Sequence, residues 1–549
     1  MSQWNLADCL DCIATIRADE EALVQGRRVI SWRQLERRAR NLAAWMLEQG
    51  ATHQGKVAIY TYNHPAYMET VYAAFKAALV PVNVNYRYRE EELRYLLDNA
   101  DAEIVVVHQD FVALLASVLG GLPRIKGVLV VTDGASGTTA SGTAASGTAV
   151  DLPASARDYE AVAETDRPQP AASRSGDDLM LLYTGGTTGM PKGVMWRQDD
   201  LYYRFAAGGL GQPPADMTAL EAYVQAPPMR LRTLIGPPLM HGTGWFTAMI
   251  AWLSGGTVIM LDDPKRFEAA QLWETVERTK PTAITIVGDS FAKPMLHALQ
   301  AAGRPYDLSS VAMIASSGVM WSQEVKAELL EYHSGMMLID AFSSSEAIGM
   351  GMSVTTKGAT NSTAKFQLSE KTRLFDEQLR PLETRPGVKG LVGVGGAQPI
   401  GYYKDPDKSA RTFVQTDSGR FSVPGDWAVV NDDGITLTVL GRGSVCINTG
   451  GEKVFPEEVE EVIKRHPGVK DVVVVGVPDE RWGEAITAVV STNGTPVDPE
   501  ALKAFVKQRL AAYKAPKHIV LVDDVYRSPA GKADFKRTKQ VAMERLGIR

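Results

Sequence analysis

The sequence predicts an α/β protein in which a large N-terminal domain of packed β-sheets with flanking helices precedes a small C-terminal α+β domain. The chain has 549 residues, which allows several structural units of about 100–200 residues each. Apolar runs alternate with amphipathic helical patterns, as expected for parallel sheets covered on both faces. A glycine-rich break at Leu440–Ser444 precedes a more compact pattern, so we place the domains at residues 1–440 and 441–549.

The order of the elements follows from these patterns. Within the large domain, buried strands are predicted at Val57–Tyr60, Glu103–Val107, Val128–Val131, Ala283–Val287 and Met336–Asp340. Helices are predicted between them at Glu69–Ala78, Glu91–Asn99 and Leu272–Arg278. The most apolar stretch, Trp245–Leu261, is broken at Ser254-Gly255-Gly256, which favours a helix, a turn and a buried strand over a membrane span. Downstream, the pattern predicts helices at Pro456–His466 and Pro499–Tyr513 and strands at Val472–Val477 and Ala485–Ser491.

Residues 133–156 differ from the rest of the chain. Ala135–Thr139, Ala140–Ala144 and Ala145–Ala149 are near-copies of one small, polar unit. Such a composition buries little apolar area and leaves chain entropy uncompensated. The segment is therefore predicted to be a flexible surface loop, with a binding tail as the less favoured alternative.

Composition excludes several classes of protein. Hydrophobic residues make up 45% and charged residues 22% of the chain, and its formal charge is −6, so neither a disordered chain nor a nucleic-acid partner is expected. Asp8 and Asp11 stand where a signal peptide needs positive charge, and we expect no integral membrane association. Cys9 and Cys12 form a lone CxxC with no second pair or His cluster nearby. Without a zinc site or a disulfide framework, the cytoplasm is the expected compartment.

The strongest chemical signal is the segment Tyr183–Gly193, YTGGTTGMPKG, which follows the apolar run Leu179–Leu182. Its glycines allow backbone N–H groups to approach an anion, its threonines add hydroxyl donors and Lys192 adds a cation. The spacing is not that of a Walker loop. A plain hairpin turn would not need three threonines and a lysine, so a phosphate-binding loop is favoured over a simple turn.

This segment resembles the phosphate loop of the AMP-forming adenylating enzymes, which include acyl-CoA synthetases, peptide-synthetase adenylation domains and firefly luciferase. Further motifs in the order of that family extend the resemblance over nearly the whole chain, and they include Pro238–Gly244, Ser316–Val319, Asp340–Glu346, Pro424–Asp426, Gly441-Arg442 with Gly450–Val454 and Glu457–Glu460, and Ser528–Lys532. The resemblance points to the fatty-acyl-CoA synthetase branch. Gly288–Pro294 after a predicted strand, the insert at residues 196–235 and the neutral Gly443-Ser444-Val445 hinge resemble a bacterial subgroup of that branch, some of whose members act on steroid side-chain acids.

The resemblance implies a role for each motif. Thr184, Gly185, Gly186, Thr187, Thr188, Gly189 and Lys192 would hold the phosphates of ATP. Ser317, Gly318, Ala341, Phe342, Ser343 and Ser345 would line the adenine and phosphate sites, with Phe342 stacking on the base. Asp426 and Arg442 would bind the ribose, and Glu346 would ligate Mg²⁺. His241 would gate the acyl pocket, and Lys532 would act on the reacting carboxylate and α-phosphate.

Some positions depart from the family pattern. The family usually has Ser where Gly185 stands, Gly where Ser343 stands and Thr where Ser345 stands. Ser345 keeps a hydroxyl, so we expect it still to reach a phosphate oxygen. No charged pivot follows Gly441-Arg442, and Gly443 is the expected hinge because its backbone is the least restricted.

The implied reaction has two steps in one site. A carboxylate and Mg·ATP give an acyl-adenylate and pyrophosphate; the small domain then rotates, Lys532 is withdrawn, and coenzyme A attacks the adenylate with release of AMP. Gly450 and Gly451 would line the coenzyme A tunnel. Trp245, Phe246, Met249 and Trp321 indicate a large apolar pocket, although some of the four must belong to the core. The alternative function is adenylation followed by loading of a separate carrier protein, and a homodimer is compatible with the sequence.

Overall fold

The computed structural model describes residues 3–133, 152–184, 190–209, 211–227, 230–358, 365–449, 452–479, 482–510, 512–528 and 531–548. Within those ranges the helices are α1 (Leu6–Ile16), α2 (Trp32–Glu48), α3 (Pro65–Lys76), α4 (Glu90–Asn99), α5 (Val112–Leu119), α6 (Tyr159–Glu164), α7 (Gln198–Gly209), α8 (Met217–Gln225), α9 (Gly242–Leu253), α10 (Ala269–Thr279), α11 (Asp289–Ala301), α12 (Gln323–Tyr332), α13 (Pro406–Thr412), α14 (Pro456–Lys464), α15 (Pro499–Lys507) and α16 (Phe535–Leu546). Short 3₁₀ turns lie at Gln109–Phe111, Gly443–Val445 and Ala512–Lys514.

The strands in the same ranges are β1 (Glu21–Gln25), β2 (Arg28–Ser31), β3 (Lys56–Tyr60), β4 (Val80–Asn83), β5 (Ala102–His108), β6 (Gly127–Val131), β7 (Arg157–Asp158), β8 (Leu179–Thr184), β9 (Lys192–Arg197), β10 (Arg232–Ile235), β11 (Thr257–Met260), β12 (Ala283–Ile286), β13 (Met313–Ser317), β14 (Met337–Phe342), β15 (Gly351–Thr355), β16 (Lys365–Leu368), β17 (Thr372–Phe375), β18 (Pro381–Leu382), β19 (Lys389–Gly395), β20 (Gly401–Tyr402), β21 (Phe413–Thr416), β22 (Gly419–Ser422), β23 (Asp426–Val430), β24 (Thr436–Arg442), β25 (Ile447–Thr449), β26 (Glu452–Val454), β27 (Val469–Asp479), β28 (Gly483–Thr492) and β29 (His518–Val522).

Three sheets organise these strands. The first has the order β18-β17-β19-β23-β24-β16-β15-β14-β13-β12-β10-β11-β1-β2, with β21 and β22 beside β19. The second has the order β20-β9-β8-β4-β3-β5-β6-β7, and the third, near the C-terminus, has β26-β25-β28-β27 with β29 on β28. The predicted α/β class, with a large sheet domain and a smaller C-terminal one, is confirmed.

The prediction of parallel sheets is right for only part of the chain. Strands β10 to β14 pair in parallel, as do β3 to β6. From β14 onward, however, the first sheet is antiparallel, as are β8 and β9 in the second. Several of the later neighbours, such as β14 and β15, β17 and β18, and β21 and β22, are joined by short connections with no crossover helix between them. A short connection permits only antiparallel neighbours.

Most predicted elements are present, with shifted ends. All the predicted strands and helices of the large domain are found, and Trp245–Leu261 is indeed α9, a turn and β11. The predicted helix at Pro456–His466 ends earlier, at Lys464, and the one at Pro499–Tyr513 ends at Lys507 and is followed by a separate 3₁₀ turn. The repeats predicted to form a flexible loop fall largely on residues 134–151, which lie outside the described residues.

The helices that shape the site pack through apolar faces. Helix α9 lies against α7 and against strands β10, β11 and β12. Its buried residues Trp245, Met249 and Trp252 join a core shared with α1, α2 and α3. No helix in the described ranges combines the length and the apolar character that crossing a bilayer requires.

Candidate active site

A cavity of about 860 Å³ opens at the carboxyl ends of the parallel strands, which is where open α/β sheets usually bind ligands. Its wall includes Thr184 at the end of β8, Ser317 and Gly318 at the end of β13, and the segment from Ala341 that follows β14. Helix α9 provides a second wall. The small domain closes the mouth with Lys532 and its neighbours up to Lys536. The cavity therefore gathers residues from motifs far apart in the chain.

Helix α9 divides its residues between the cavity and the core. Thr243, Phe246, Thr247 and Ile250 line the cavity at helical spacing. Of the four residues that indicated a large pocket, Phe246 is a lining residue. Trp245, Met249 and Trp321 are buried in the core. All four therefore belong to the core, and Phe246 is the one that also lines the cavity.

Strands β8 and β9 fix the ends of the phosphate-binding segment. They pair antiparallel, with Thr184 opposite Lys192, so this segment does connect a hairpin. This pairing does not decide between a phosphate-binding loop and a simple turn, so the predicted ligand stays a prediction. Gly185, Gly186, Thr187, Thr188 and Gly189 lie outside the described residues.

Lys192 is held by a carboxylate. Its ammonium donates to Asp405, and this hydrogen bond keeps the pKa of Asp405 below its usual range. Asp405 also caps α13 by accepting from the Lys408 N–H at 3.0 Å. Burial first, and then the charge of Lys192, lower the pKa of Lys408. Two lysines and one carboxylate therefore meet beside the phosphate-binding segment.

Glu346 presents a buried carboxylate behind the cavity wall. Its Oε1 accepts from the Tyr402 hydroxyl at 2.8 Å, and its backbone oxygen accepts from the Ser422 hydroxyl at 2.7 Å. Burial and the adjacent carboxylate raise the pKa of Tyr402, so the phenol keeps its proton and remains a donor. The Tyr402 hydroxyl thus fixes the orientation of the Glu346 side chain.

Asp426 and Arg442 form one charged group with Lys532 nearby. The two residues are opposite each other in the antiparallel pair β23–β24, and Arg442 Nε lies 3.2 Å from Asp426 Oδ1. Arg442 has a raised pKa, mainly because of the Asp426 charge. The Lys532 side chain is exposed to the cavity that it lines. Desolvation by the surrounding protein, followed by the Arg442 charge, nevertheless lowers its pKa.

The loop that carries Lys532 is tied to both domains. The Ser528 N–H donates to the Lys532 carbonyl at 2.7 Å, and Arg527 donates to the Gly531 carbonyl at 3.1 Å. Gly531 has φ +76° and lies so close to Ser290 of α11 that a Cβ there would overlap the hydroxyl. Close packing on the large domain therefore positions Lys532 at the cavity mouth.

His241 stands at the start of α9, on the cavity wall. Desolvation, with smaller contributions from the charges of Lys532 and Arg87, lowers its pKa to about 3. The imidazole is accordingly neutral at physiological pH. It can accept or donate a hydrogen bond there without adding charge.

The remaining predicted residues surround the end of β14. Ser343 Oγ accepts from the Gly349 N–H at 3.0 Å, and the Ser345 carbonyl accepts from Trp196 Nε1 at 2.9 Å. Phe342 packs 5.4 Å from the Phe366 ring and is not among the residues that line the described cavity. Its stacking on adenine stays a prediction. Gly450 and Gly451 lie outside the described residues.

Comparison with known proteins decides the family. The model of the AMP-binding enzyme family matches residues 13–403, and that of the AMP-binding enzyme C-terminal domain matches residues 458–532. The chain belongs to the AMP-binding enzyme family. The resemblance found in the sequence is thereby confirmed.

Relatives and solved structures place the chain within the AMP-binding enzymes. It is 39% identical to a 3-oxocholest-4-en-26-oate–CoA ligase of Rhodococcus rhodochrous, with 97% of this chain and 95% of that protein covered. It is 37% identical to a medium/long-chain-fatty-acid–CoA/3-oxocholest-4-en-26-oate–CoA ligase of Mycolicibacterium smegmatis, with 98% and 97% covered. The fold matches the anthranilate CoA ligase AuaEII in complex with anthranoyl-AMP, with a TM-score of 0.81, 21% identity, and 100% and 99% covered. The predicted enzyme class, an ATP-dependent, AMP-forming acyl-CoA ligase, is confirmed.

Sequence reasoning missed several residues of this AMP-binding enzyme. Tyr402, Asp405 and Lys408 come from one short segment that the structure brings against Glu346 and Lys192. Arg87 lines the cavity from the opposite side. The Asp-Pro pair at 405–406 is a helix-start signal that could have directed attention to the first group. Nothing in the local sequence marks Arg87.

The junction of the two predicted domains is tightly packed. Strand β24 of the large sheet continues to Arg442, and α14 of the small domain packs against it. Gly441 has φ +122°, and a Cβ there would overlap the Glu457 carboxyl. Burial and the nearby Glu460 raise the pKa of that carboxyl to about 8. The division at residues 440 and 441 stays a prediction.

We expect Gly441→Ala to loosen this junction by about 1–3 kcal/mol, because it adds a clash to an unfavourable φ. Protease sensitivity between the domains should rise. Gly425→Ala is the matched control, since Gly425 has φ +105° with nothing within 4 Å of its Cβ position. Protease sensitivity should rise more in Gly441→Ala than in the control. The rise should be smaller when Glu457→Ala is added, because that change removes the clashing carboxyl. Equal effects of the two alanines would show that the contact with Glu457 does not matter.

Proposed function

We propose that this acyl-CoA ligase activates a large apolar carboxylic acid, either a medium- to long-chain fatty acid or a steroid side-chain acid. The observation that carries the proposal is the combination of an apolar inner wall with a cationic mouth. Phe246, Ile250 and Ile348 line the inside of the cavity, whereas Lys532 lies where the small domain closes it. A volume of about 860 Å³ is within the range of pockets that enclose drug-sized ligands.

The chemistry needs positive charge where two anions meet. A carboxylate oxygen attacks the α-phosphorus of ATP, the bond to the bridging oxygen breaks, and pyrophosphate leaves. Lys532 is proposed to stabilise the negative charge that develops on the carboxylate and the α-phosphate. In the second step the coenzyme A sulfur attacks the acyl carbon, and AMP leaves with the bonding electrons. A neutral His241 at the pocket wall is proposed to gate access between the steps.

The nucleotide roles follow the positions of the charged and polar groups. Asp426 can accept hydrogen bonds from ribose hydroxyls, and Arg442, paired with it, can donate to the same sugar. Lys192 and Thr184 stand at the two ends of the phosphate-binding segment. Ser317, Gly318, Ala341 and the serines after it face the same cavity. These assignments, with those of the glycines and threonines between Thr184 and Lys192, are proposals.

Glu346 fits a magnesium site. No three His, Cys, Asp or Glu side chains gather into a metal-binding group within the described ranges, so an all-protein site is not indicated there. Mg²⁺ in nucleotide enzymes is usually held by one or two carboxylates together with phosphate oxygens and water. Glu346 would supply that carboxylate, and the bound ion would neutralise phosphate charge. Tyr402 would orient the carboxylate through its hydrogen bond.

The test is pyrophosphate release from ATP and Mg²⁺ in the presence of single acids. The panel contains butanoate, octanoate, hexadecanoate and 3-oxocholest-4-en-26-oate, each with and without coenzyme A. We expect release with the larger acids, and a thioester and AMP only when coenzyme A is present. Turnover that requires an acyl carrier protein in place of coenzyme A would favour the alternative function. Release with none of the acids would refute the proposal.

The pH dependence of the adenylation rate should follow the protonation of the Lys532 ammonium. Because its pKa is lowered, the ammonium loses its proton at a lower pH than an ordinary lysine. The cation is needed only for adenylation, so the rate of this step should begin to fall at a lower pH than the usual lysine pKa would give. Thioester formation from supplied acyl-adenylate should not share that fall. The Lys532→Arg variant keeps a positive charge at alkaline pH, so its adenylation rate should not fall there, even if the reaction is slower than in the parent protein.

A further inference from the structure

Helix α7 ends in two glycines that lie against the wall of the acyl cavity. Gly208 and Gly209 are the last residues of α7, which packs on α9. The residue that they meet is Ile250 of α9. Ile250 also lines the cavity. This isoleucine therefore lies between the glycine pair and the space proposed for the acid.

The contact leaves no room for larger residues. A Cβ on Gly208 would lie 2.9 Å from Ile250 Cδ1, and a Cβ on Gly209 would lie 2.9 Å from Ile250 Cγ2 and 3.2 Å from the Ile250 carbonyl oxygen. Real Cβ atoms do not approach side-chain carbons that closely, so a substitution would have to displace Ile250. At Gly208, only side-chain atoms of Ile250 stand in the way.

Backbone geometry does not explain the glycines. Neither residue is among those with a positive φ. Both belong to a helix, where alanine is more favourable than glycine by about 0.5–1 kcal/mol. Gly208 and Gly209 therefore lower the stability of the helix, and no turn requires them. The space that it leaves for Ile250 is the feature that requires glycine.

We propose that Gly208 and Gly209 form a recess that holds Ile250 back from the cavity and so sets how large an acid the enzyme accepts. The inference rests on the proposed function, because it assumes that the acyl chain occupies this cavity. Gly208 is a positioning residue that acts through Ile250. A methyl group at position 208 drives Ile250 toward the substrate, and the acids that reach deepest lose the most.

The experiment measures kcat/KM for octanoate, dodecanoate and hexadecanoate. Gly208→Ala should lower the ratio of kcat/KM for hexadecanoate to that for octanoate by about tenfold, the effect expected for roughly one methylene in an apolar pocket. Ile250→Ala should raise kcat/KM for the longer acid relative to the shorter one, because it enlarges the cavity that Ile250 lines. In the double variant Gly208→Ala with Ile250→Ala, kcat/KM for the longer acid should be higher than in Gly208→Ala alone, because the displaced isoleucine side chain has been removed.

Controls separate selectivity from folding. Gly120→Ala, at the end of α5, is the matched control because nothing lies within 4 Å of its Cβ position, and it should leave the ratio unchanged. If Gly208→Ala lowers activity equally for all three acids, or leaves the ratio unchanged in an active enzyme, the recess does not set selectivity and the inference is overturned. Should Gly208→Ala fail to fold, an unchanged ratio in Ile250→Ala would overturn it as well. Wild-type protein that activates none of the acids would instead overturn the proposed function itself.

Discussion

Replacing Lys532 with alanine is expected to slow acyl-adenylate formation by 100-fold or more, which corresponds to roughly 3 kcal/mol of transition-state stabilisation. Lys532 is a cation of the small domain that lines the cavity, and its loop is packed against the large domain through Gly531. A charge held in place before the reaction needs no reorganisation when negative charge develops. Alanine removes the charge and leaves the anionic reactants uncompensated.

The measurement is single-turnover formation of acyl-adenylate, followed by a separate assay of thioester formation from supplied acyl-adenylate. The second reaction should survive, because the proposed role of Lys532 belongs to the first. Lys536→Ala provides the control, since Lys536 also lines the cavity but is not assigned to the reacting atoms. A variant that loses both half-reactions equally would show that Lys532 acts through structure and not through charge.

The second large effect is expected at Glu346. Glu346→Gln keeps the shape of the side chain and the acceptor for the Tyr402 hydroxyl but removes the negative charge. At limiting Mg²⁺ we expect adenylation to fall by about 100-fold, since a neutral amide oxygen is a much weaker ligand for a hard divalent cation. Excess Mg²⁺ should restore part of the rate. The readout is the Mg²⁺ concentration needed for half-maximal adenylation.

Tyr402→Phe separates the charge of Glu346 from its orientation. It leaves the carboxylate intact and removes one hydrogen bond, so its Mg²⁺ requirement should rise by only a few-fold. An unchanged Mg²⁺ requirement in Glu346→Gln would contradict the role of Glu346 as a magnesium ligand. A thermal unfolding midpoint close to that of the parent protein would show that Glu346→Gln remains folded.

The sequence was sufficient for the fold class because the strand and helix patterns are strong in the large domain. It could not predict the change to antiparallel pairing after β14, because an apolar run does not encode the direction of its neighbour. Helix α9 shows a similar limit. Trp245 and Phe246 are adjacent in sequence and both are buried, yet only Phe246 also lines the cavity. Only the rotation of the helix against its neighbours distinguishes them.

The candidate site shows the same limit of local sequence patterns. Short motifs directed attention to Lys532, Asp426 and Glu346, because each lies in a compact pattern, and their roles stay predictions. Partnerships between distant residues were out of reach: Lys192 and Asp405 are 213 residues apart, and no local pattern links them. Phe342 was assigned to the nucleotide by a motif alone; its ring also packs beside Phe366, and its role stays a prediction.

The pairing of Lys192 with Asp405 changes what an incoming anion must do. The charge of Lys192 is already balanced by Asp405. A phosphate that binds Lys192 must therefore replace this carboxylate, and the net binding energy is only the difference between the lysine–phosphate and lysine–aspartate interactions. A singly charged oxyanion gains little from such an exchange, whereas a polyphosphate with its metal ion can draw on several other contacts at once. Under the proposed role of Lys192, this pairing would favour the nucleotide over the inorganic anions in solution before any contact with the base is made.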